Sequence, residues 1–242
     1  LFKEIARTHP ERLTDAVASL QTNGSFITEK SVGGKTLNPT VLYFFALIAY
    51  ACMSGAYLSI EAVRDTQANL SPLGARRSIT PYRKQFLIFI DMLVLIFIHF
   101  INVMILTFYV NYILNIDLGN NYLAILATNF MGSLIGICLG LMIGCIGKLT
   151  FSAKIGICTS TTLLTGFLSG LMFGNMKDII EQNAPILNRI NPAAVLSNAY
   201  YCISVYNDTL RYQRCIITLL IMSILFLGIA FLGVRRERYD SI

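Results

Sequence analysis

Hydrophobic positions in this chain fall into long, nearly unbroken runs, without the alternation of a half-buried strand or the one-sided stripe of a surface helix. Five runs, residues 41–60, 86–114, 122–147, 155–174 and 215–234, reach the length of about 20 residues that a helix needs to cross bilayer hydrocarbon. The second is long enough to tilt or to project beyond the hydrocarbon. A sixth run, 193–206, has fourteen residues, which suits a re-entrant or interfacial segment better than a span. The pattern predicts an all-α membrane protein: a polytopic transmembrane helical bundle of five spans plus one short re-entrant or interfacial segment.

The distribution of basic residues sets the expected orientation. The loop 61–85 carries Arg64, Arg76, Arg77, Arg83 and Lys84, and residues 235–238 hold Arg235, Arg236 and Arg238. Lys148 and Lys154 bracket a short loop on the same side. The forty residues 175–214 on the other side hold only four, Lys177, Arg189, Arg211 and Arg214. By this density the carboxyl end is cytoplasmic and the amino end outside, in the cell membrane. Residues 1–38 then read as an extracytoplasmic segment, the end of a longer outer region, and 39–242 as the transmembrane domain.

Composition agrees with this reading. Apolar residues make up 55% of the 242 and charged residues 13%, against about 25% charged in soluble domains, which excludes a disordered chain. The net charge of +6 comes from basic residues flanking apolar runs, as expected beside anionic lipid. The basic loop lacks the interleaved aromatics on which bases stack, so no nucleic-acid partner is expected.

Glycine recurs every four residues at Gly132, Gly136, Gly140 and Gly144, and again at Gly166, Gly170 and Gly174. Such ridges let helix backbones approach closely in lipid, and they speak for packing rather than chemistry. The second run holds Asp91, His99 and Asn102, which about 100° per residue places on nearby faces. Polar groups at membrane depth line a pathway or tie helices together, and the sequence leaves both readings open.

Motifs for chemistry fail on inspection. Gly33-Gly34-Lys35-Thr36 has Glu29 where a phosphate loop needs its first glycine, and Gly147-Lys148 is followed by Leu149 in place of Ser or Thr. No nucleophile elbow and no metal-binding histidine pair occurs, so neither nucleotide, metal nor other cofactor is expected on this chain. Four of the six cysteines, Cys52, Cys138, Cys145 and Cys158, lie in or at the ends of apolar runs. Cys202 and Cys215 fall near the expected outer surface, where pairing is open to them.

Within the loop 61–85, Ser71-Pro72 reads as an N-cap and first helical residue. A short helix over 72–78 follows, with Pro81 stopping its continuation. It presents Leu73, Arg76 and Arg77, with Tyr82 and Arg83 just beyond. A fixed basic helix between two spans can dock on another protein. The plainer alternative is a solvated loop obeying the positive-inside pattern.

At this loop the chain resembles the type-2 permease family of ATP-binding-cassette exporters. The likeness rests on Glu61 at the end of a span, on the stretch 71–83 with Arg77, Thr80-Pro81 and Arg83, and on the order of spans with their glycine ridges. It rests also on Asn188-Arg189-Ile190-Asn191-Pro192-Ala193 before a short apolar segment and a last span with a basic tail. The resemblance covers roughly residues 36–238. It implies a membrane subunit that pairs with a second permease domain, identical or not, and is powered by cytosolic ATP-binding-cassette ATPase subunits through alternating access. A coupling helix at 71–79 would sit on the ATPase, engaging Ser71, Leu73, Arg76, Arg77, Pro81, Tyr82 and Arg83, and Asn191-Pro192 would open the outer re-entrant helices. The family normally has six spans, so the resemblance implies a first span upstream of Leu1. The alternative reading is a polytopic membrane protein without an ATPase, an ion-coupled carrier or an immunity or sensor protein. A carrier would depend on Asp91 or His99, an exporter on the cytoplasmic loop.

Overall fold

The computed structural model of the protein describes residues 39–67, 71–119, 121–146, 149–174, 176–206 and 208–237. The segment 1–38 lies outside them. Among the described residues every regular element is helical. Helices α1 (Pro39–Met53) and α2 (Gly55–Arg64) share one apolar run, and α3 (Pro72–Ser78) is the short helix of the basic loop. The long helix α4 (Lys84–Phe108) ends in a π-helical turn, Tyr109–Ile113. Next come α5 (Tyr122–Gly144), α6 (Phe151–Leu168), α7 (Met176–Asn183), α8 (Pro185–Ile190) and α9 (Pro192–Tyr201). A second π-turn, Cys202–Tyr206, leads into α10 (Thr209–Glu237).

The break between α1 and α2 has a local cause. Ser54 turns its hydroxyl back to the carbonyl of Ala51 at 2.7 Å, a bond that competes with the helical ladder. Gly55 follows, and the His99 ring of α4 fills the space beside it: a Cβ there would lie 2.6 Å from the ring. The kink is thus where α4 reaches into α1–α2.

Helix α5 is the hub. Its most apolar window is 72% buried, against 28% for the run through α4 and 17% for α10. The glycine ridge explains how. Gly132 faces the Cys52 side chain, while a Cβ on Gly136 or Gly140 would overlap the carbonyl oxygen of Cys52 or Ala56. Gly144 lies against Val63, 3.1 Å from a Cβ built on the glycine. One face of α5 therefore lies backbone to backbone along the kinked pair α1–α2, where dispersion between close-packed atoms supplies the attraction that lipid does not.

The second ridge ends early. Gly166 meets the Tyr50 ring, 2.7 Å from a Cβ built on it, but α6 stops at Leu168. Gly170 adopts φ +96°, and the amides of Gly170 and Leu171 bond back to Phe167 and Gly166 at 3.1 and 3.2 Å. This pair of bonds is the glycine stop of a helix. Gly170 and Gly174 accordingly lie past the helix, and a Cβ on Gly174 would meet nothing within 4 Å.

Four helices among the described residues are long and apolar enough to cross a membrane: Thr40–Arg64, Gln85–Ile113, Tyr122–Gly144 and Thr209–Gly233. The run expected at 155–174 forms α6 instead, eighteen residues long. Six of these carry hydroxyls, Ser152, Thr159, Ser160, Thr161, Thr162 and Thr165, and that lowers its hydropathy. The short run at 193–206 is α9 and its π-turn, with Leu196 and Tyr200 fully buried. At about 1.5 Å per residue α9 is roughly 15 Å long, half a bilayer core.

Candidate functional site

The loop between the first two long helices is built from its cap outward. Ser71, extended at φ −148°, accepts a hydrogen bond from the Gly74 amide at 2.9 Å, and Pro72 takes the first helical position, where no amide is needed. The Ser71 hydroxyl also donates to the Arg64 carbonyl at 3.4 Å. A Cβ on Gly74 would collide with the Gln67 backbone, so α3 presses against the chain leaving α2. The Thr80 hydroxyl donates to the Arg77 carbonyl at 2.6 Å and closes the far end.

Arg77 reaches across to α4 and donates to Asp91 at 2.7 Å, both side chains about a quarter to a third exposed. The sequence placed these two residues in separate roles, Arg77 toward a partner and Asp91 in the membrane. Geometry brings them together. The surface left open consists of Leu73 and Ile79, 43% and 85% exposed, Tyr82 stacked on Phe86 at 6.1 Å, and Arg76, Pro81 and Arg83. Ile79 was not singled out by sequence, although it follows the helix directly. The base of the loop is fastened again by Arg64, which pairs with Glu61 at 3.5 Å and lies 4.6 Å over the Phe151 ring of α6.

Deeper in the bundle the polar residues separate. His99 is 4% exposed and its Nε2 lies 3.1 Å from the carbonyl of Cys52, in the last turn of α1. Asn102 points outward on the exposed side of α4. The buried polar centre lies elsewhere, around Asn129 of α5. Its Oδ1 accepts from the Tyr200 hydroxyl of α9 and from Thr107 of α4 at 3.3 Å, and its Nδ2 faces the Met104 sulfur at 3.0 Å. This network joins three helices. The sequence offers one signal for it, an asparagine inside an apolar run.

A second polar seam runs between α2 and α6, where the Tyr57 hydroxyl bonds to Thr159 at 3.1 Å and Thr162 at 3.3 Å. Gly156 and Ser160 on α6 are exposed, and a Cβ on Gly156 would meet open space. At the end of α6 toward the basic loop, Lys154 is 2% exposed and donates to the Gly144 carbonyl at 2.6 Å, a cation at the negative end of α5.

At the opposite end, Asn191 caps α9 by accepting from the Ala193 amide at 3.0 Å and donates to the Thr165 carbonyl at 2.9 Å. Pro192 is buried at the first position of α9. Asn188 ties α8 to α7 through the Lys177 carbonyl at 3.0 Å and Glu181 at 2.8 Å. Burial holds the Lys177 ammonium below the ordinary lysine pKa, with Asp178, Cys202, Cys215 and Glu181 pulling the other way. Among the described residues no group of three or more His, Cys, Asp or Glu converges as a metal site.

Against known families, the model for the ABC-2 family transporter protein matches residues 11–232. The chain belongs to the ABC-2 family of transporter permeases. No curated protein and no solved structure matches it. Family membership and the long apolar helices make it a multi-pass membrane protein, the membrane permease of an ABC transporter. Permeases of this family generally work with ABC ATPase subunits.

Proposed function

We propose that this ABC-2 permease is the membrane-spanning subunit of an exporter, driven by ATPase subunits on separate chains or domains that dock on α3 and the residues following it. The observation that carries the reading is the way α3 is held. It is capped by Ser71, wedged against the end of α2 at Gly74, and fastened to α4 by Arg77. A push on its free side reaches both helices without being absorbed by a flexible loop. The free side offers Leu73 and Ile79 as apolar anchors and Arg76 and Arg83 as charges for carboxylates on the partner.

In this reading the basic loop is cytoplasmic and residues 175–208 lie outside. Helix α6 makes the fifth span, its hydroxyls turned to protein or a water-filled path rather than to lipid. A second permease domain completes the pathway, and ATPase closure converts an inward-open bundle to an outward-open one by differential binding to the two states. An ion-coupled carrier finds less support. Asp91 is engaged by Arg77, and His99 faces the Cys52 carbonyl, so neither is presented as a proton relay.

The test is co-purification with the ATPase, and substrate stimulation of its hydrolysis, for wild type against Leu73→Ala/Arg76→Ala. Loss of association with normal membrane insertion is the expected result. Unchanged association and stimulation would return the loop to a topological signal only.

A further inference from the structure

Where α5 and α10 begin, a cavity of about 240 Å³ opens between them and the second π-turn. Its walls are held by bonds between elements. Tyr212 of α10 donates its hydroxyl to the Ala124 carbonyl of α5 at 3.0 Å, and the Ser204 hydroxyl of the π-turn donates to the Asp117 carbonyl at 3.3 Å. The lining is mixed: Leu123, Ala127 and Ile203 are apolar, whereas Asn121, Asp208 and Gln213 bring two amides and a carboxylate. Helix periodicity carries the apolar part onward. Phe130 follows Leu123 and Ala127 along one stripe of α5, and Leu220 follows Thr209 and Gln213 along one stripe of α10. Phe130 and Leu220 are both exposed. Seven residues at ~1.5 Å each take either stripe about 10 Å along the helix, most of one leaflet's ~15 Å of hydrocarbon.

Charge at the polar part balances. Asp208 pairs with Arg211 at 3.3 Å, so neither an anionic head nor a lone cation meets a net opposite charge here. The helix starts add little for an anion, because the amides of Ala124, Leu210 and Arg211 are bonded to the side chains of Asn121 and Asp208. A zwitterion matches this balance. Its ammonium would lie on the Asp208 carboxylate, with the amide oxygens of Asn121 and Gln213 as further acceptors. Its phosphate would lie toward Arg211, 63% exposed, whose guanidinium has more N–H donors than the one given to Asp208.

We propose that this cavity holds the headgroup of a phospholipid with a primary ammonium, of the phosphatidylethanolamine class, whose acyl chain lies along Phe130 and Leu220. Its size agrees with that occupant. Pockets for whole drug-sized ligands run to about 300–1,000 Å³, and this smaller one takes a head whose tail stays in the bilayer. The acceptors set the selectivity. A primary ammonium donates N–H bonds to Asp208, Asn121 and Gln213, whereas a choline head has no N–H and leaves those oxygens unpaired. The bound lipid would bridge the π-turn and the starts of α5 and α10. The proposal needs these two helices in the membrane but neither export nor an ATPase.

The test uses the full-length protein in nanodiscs of equal parts phosphatidylethanolamine and phosphatidylcholine with the same acyl chains, released and weighed intact by mass spectrometry. Wild type should retain the ethanolamine lipid over the choline lipid by about fivefold or more, the worth of one hydrogen bond. An ethanolamine lipid with a photoreactive acyl chain should crosslink within residues 123–130 or 209–220. Asp208→Asn keeps a capping oxygen for α10 but removes the charge, and should bring the ratio close to one. Ala127→Leu fills the cavity and should lower retention of the ethanolamine lipid, with its fold checked by thermal unfolding in choline-lipid nanodiscs. If that variant does not fold, Asp208→Asn decides alone. Equal retention of the two lipids by wild type would reduce the cavity to an unselective groove and overturn the assignment. A ratio that Asp208→Asn leaves unchanged, or crosslinks confined to other helices, would overturn it as well.

Discussion

Arg77 in the short helix α3 donates to Asp91 in the long helix α4 across 2.7 Å. The two residues are separated by a turn, a proline and the entry to α4, so the pair fixes the angle at which the loop meets the bundle. Both side chains keep a quarter to a third of their exposure, and solvent screening holds such a pair to about 1 kcal/mol or less of stability. Its consequence lies in stiffness.

The first prediction separates these effects. Asp91→Asn should leave expression and insertion unchanged, yet lower substrate-stimulated ATP hydrolysis of the assembled transporter several-fold. The exchange Arg77→Asp/Asp91→Arg should restore much of it. Stimulation measured in proteoliposomes decides the matter, and equal values for all three proteins would remove the pair from coupling.

Close approach at α5 yields a sharper prediction, because alanine alone suffices. A Cβ at Gly136 or Gly140 would enter the space of a backbone carbonyl on the neighbouring helix, which cannot swing aside as a side chain can. Gly136→Ala and Gly140→Ala should each destabilise by about 1–3 kcal/mol through overpacking. Gly156→Ala, where a Cβ meets nothing within 4 Å, should be neutral or gain up to about 1 kcal/mol from helix propensity. Thermal unfolding of the detergent-solubilised variants distinguishes them.

How much of this was legible beforehand differs from element to element. Helix α3 was readable residue by residue, since Ser71, Pro72 and Pro81 act through local backbone geometry. The long helices were readable from hydropathy, with ends shifted by a few residues where capping groups rather than apolarity decide. The glycines of α5 signalled contact but not the partner, because spacing along one helix carries no information about what lies opposite. For the same reason Arg77 and Asp91, fourteen positions apart and on different elements, were assigned unrelated roles. The second glycine ridge packs only at Gly166, because four-residue spacing does not reveal φ, and Gly170 ends the helix.

The buried network around Asn129 gives the third prediction. Tyr200→Phe removes the hydroxyl and leaves the asparagine one partner short, at a cost of about 0.5–2 kcal/mol. Asn129→Leu alone should cost more, since it strands the Tyr200 hydroxyl, while Thr107 keeps its bond to the Val103 carbonyl at 2.8 Å. The double variant should fall short of the sum of the singles, because each removes the same bond. A strictly additive cycle in thermal unfolding would mean that the tyrosine and the asparagine do not interact in the membrane.

The last prediction concerns orientation, on which the docking surface depends. Two exposed positions report opposite ends of the bundle: Ala75 on α3 and Gln182 on α7. The density of Lys and Arg assigns the first to the cytoplasm, since positive residues in short loops are retained on that side. Lys154 and Arg64 lie toward the same end as α3, through Gly144 and Phe151, and so add to its positive charge. In a chain whose native cysteines are replaced, Gln182→Cys should react with an impermeant maleimide on intact cells. Ala75→Cys should react only after the membrane is opened. Each site serves as the accessibility control for the other, since both are exposed in the fold. The reverse pattern would put α3 outside, beyond the reach of any cytosolic ATPase, and the proposed coupling would fall with it.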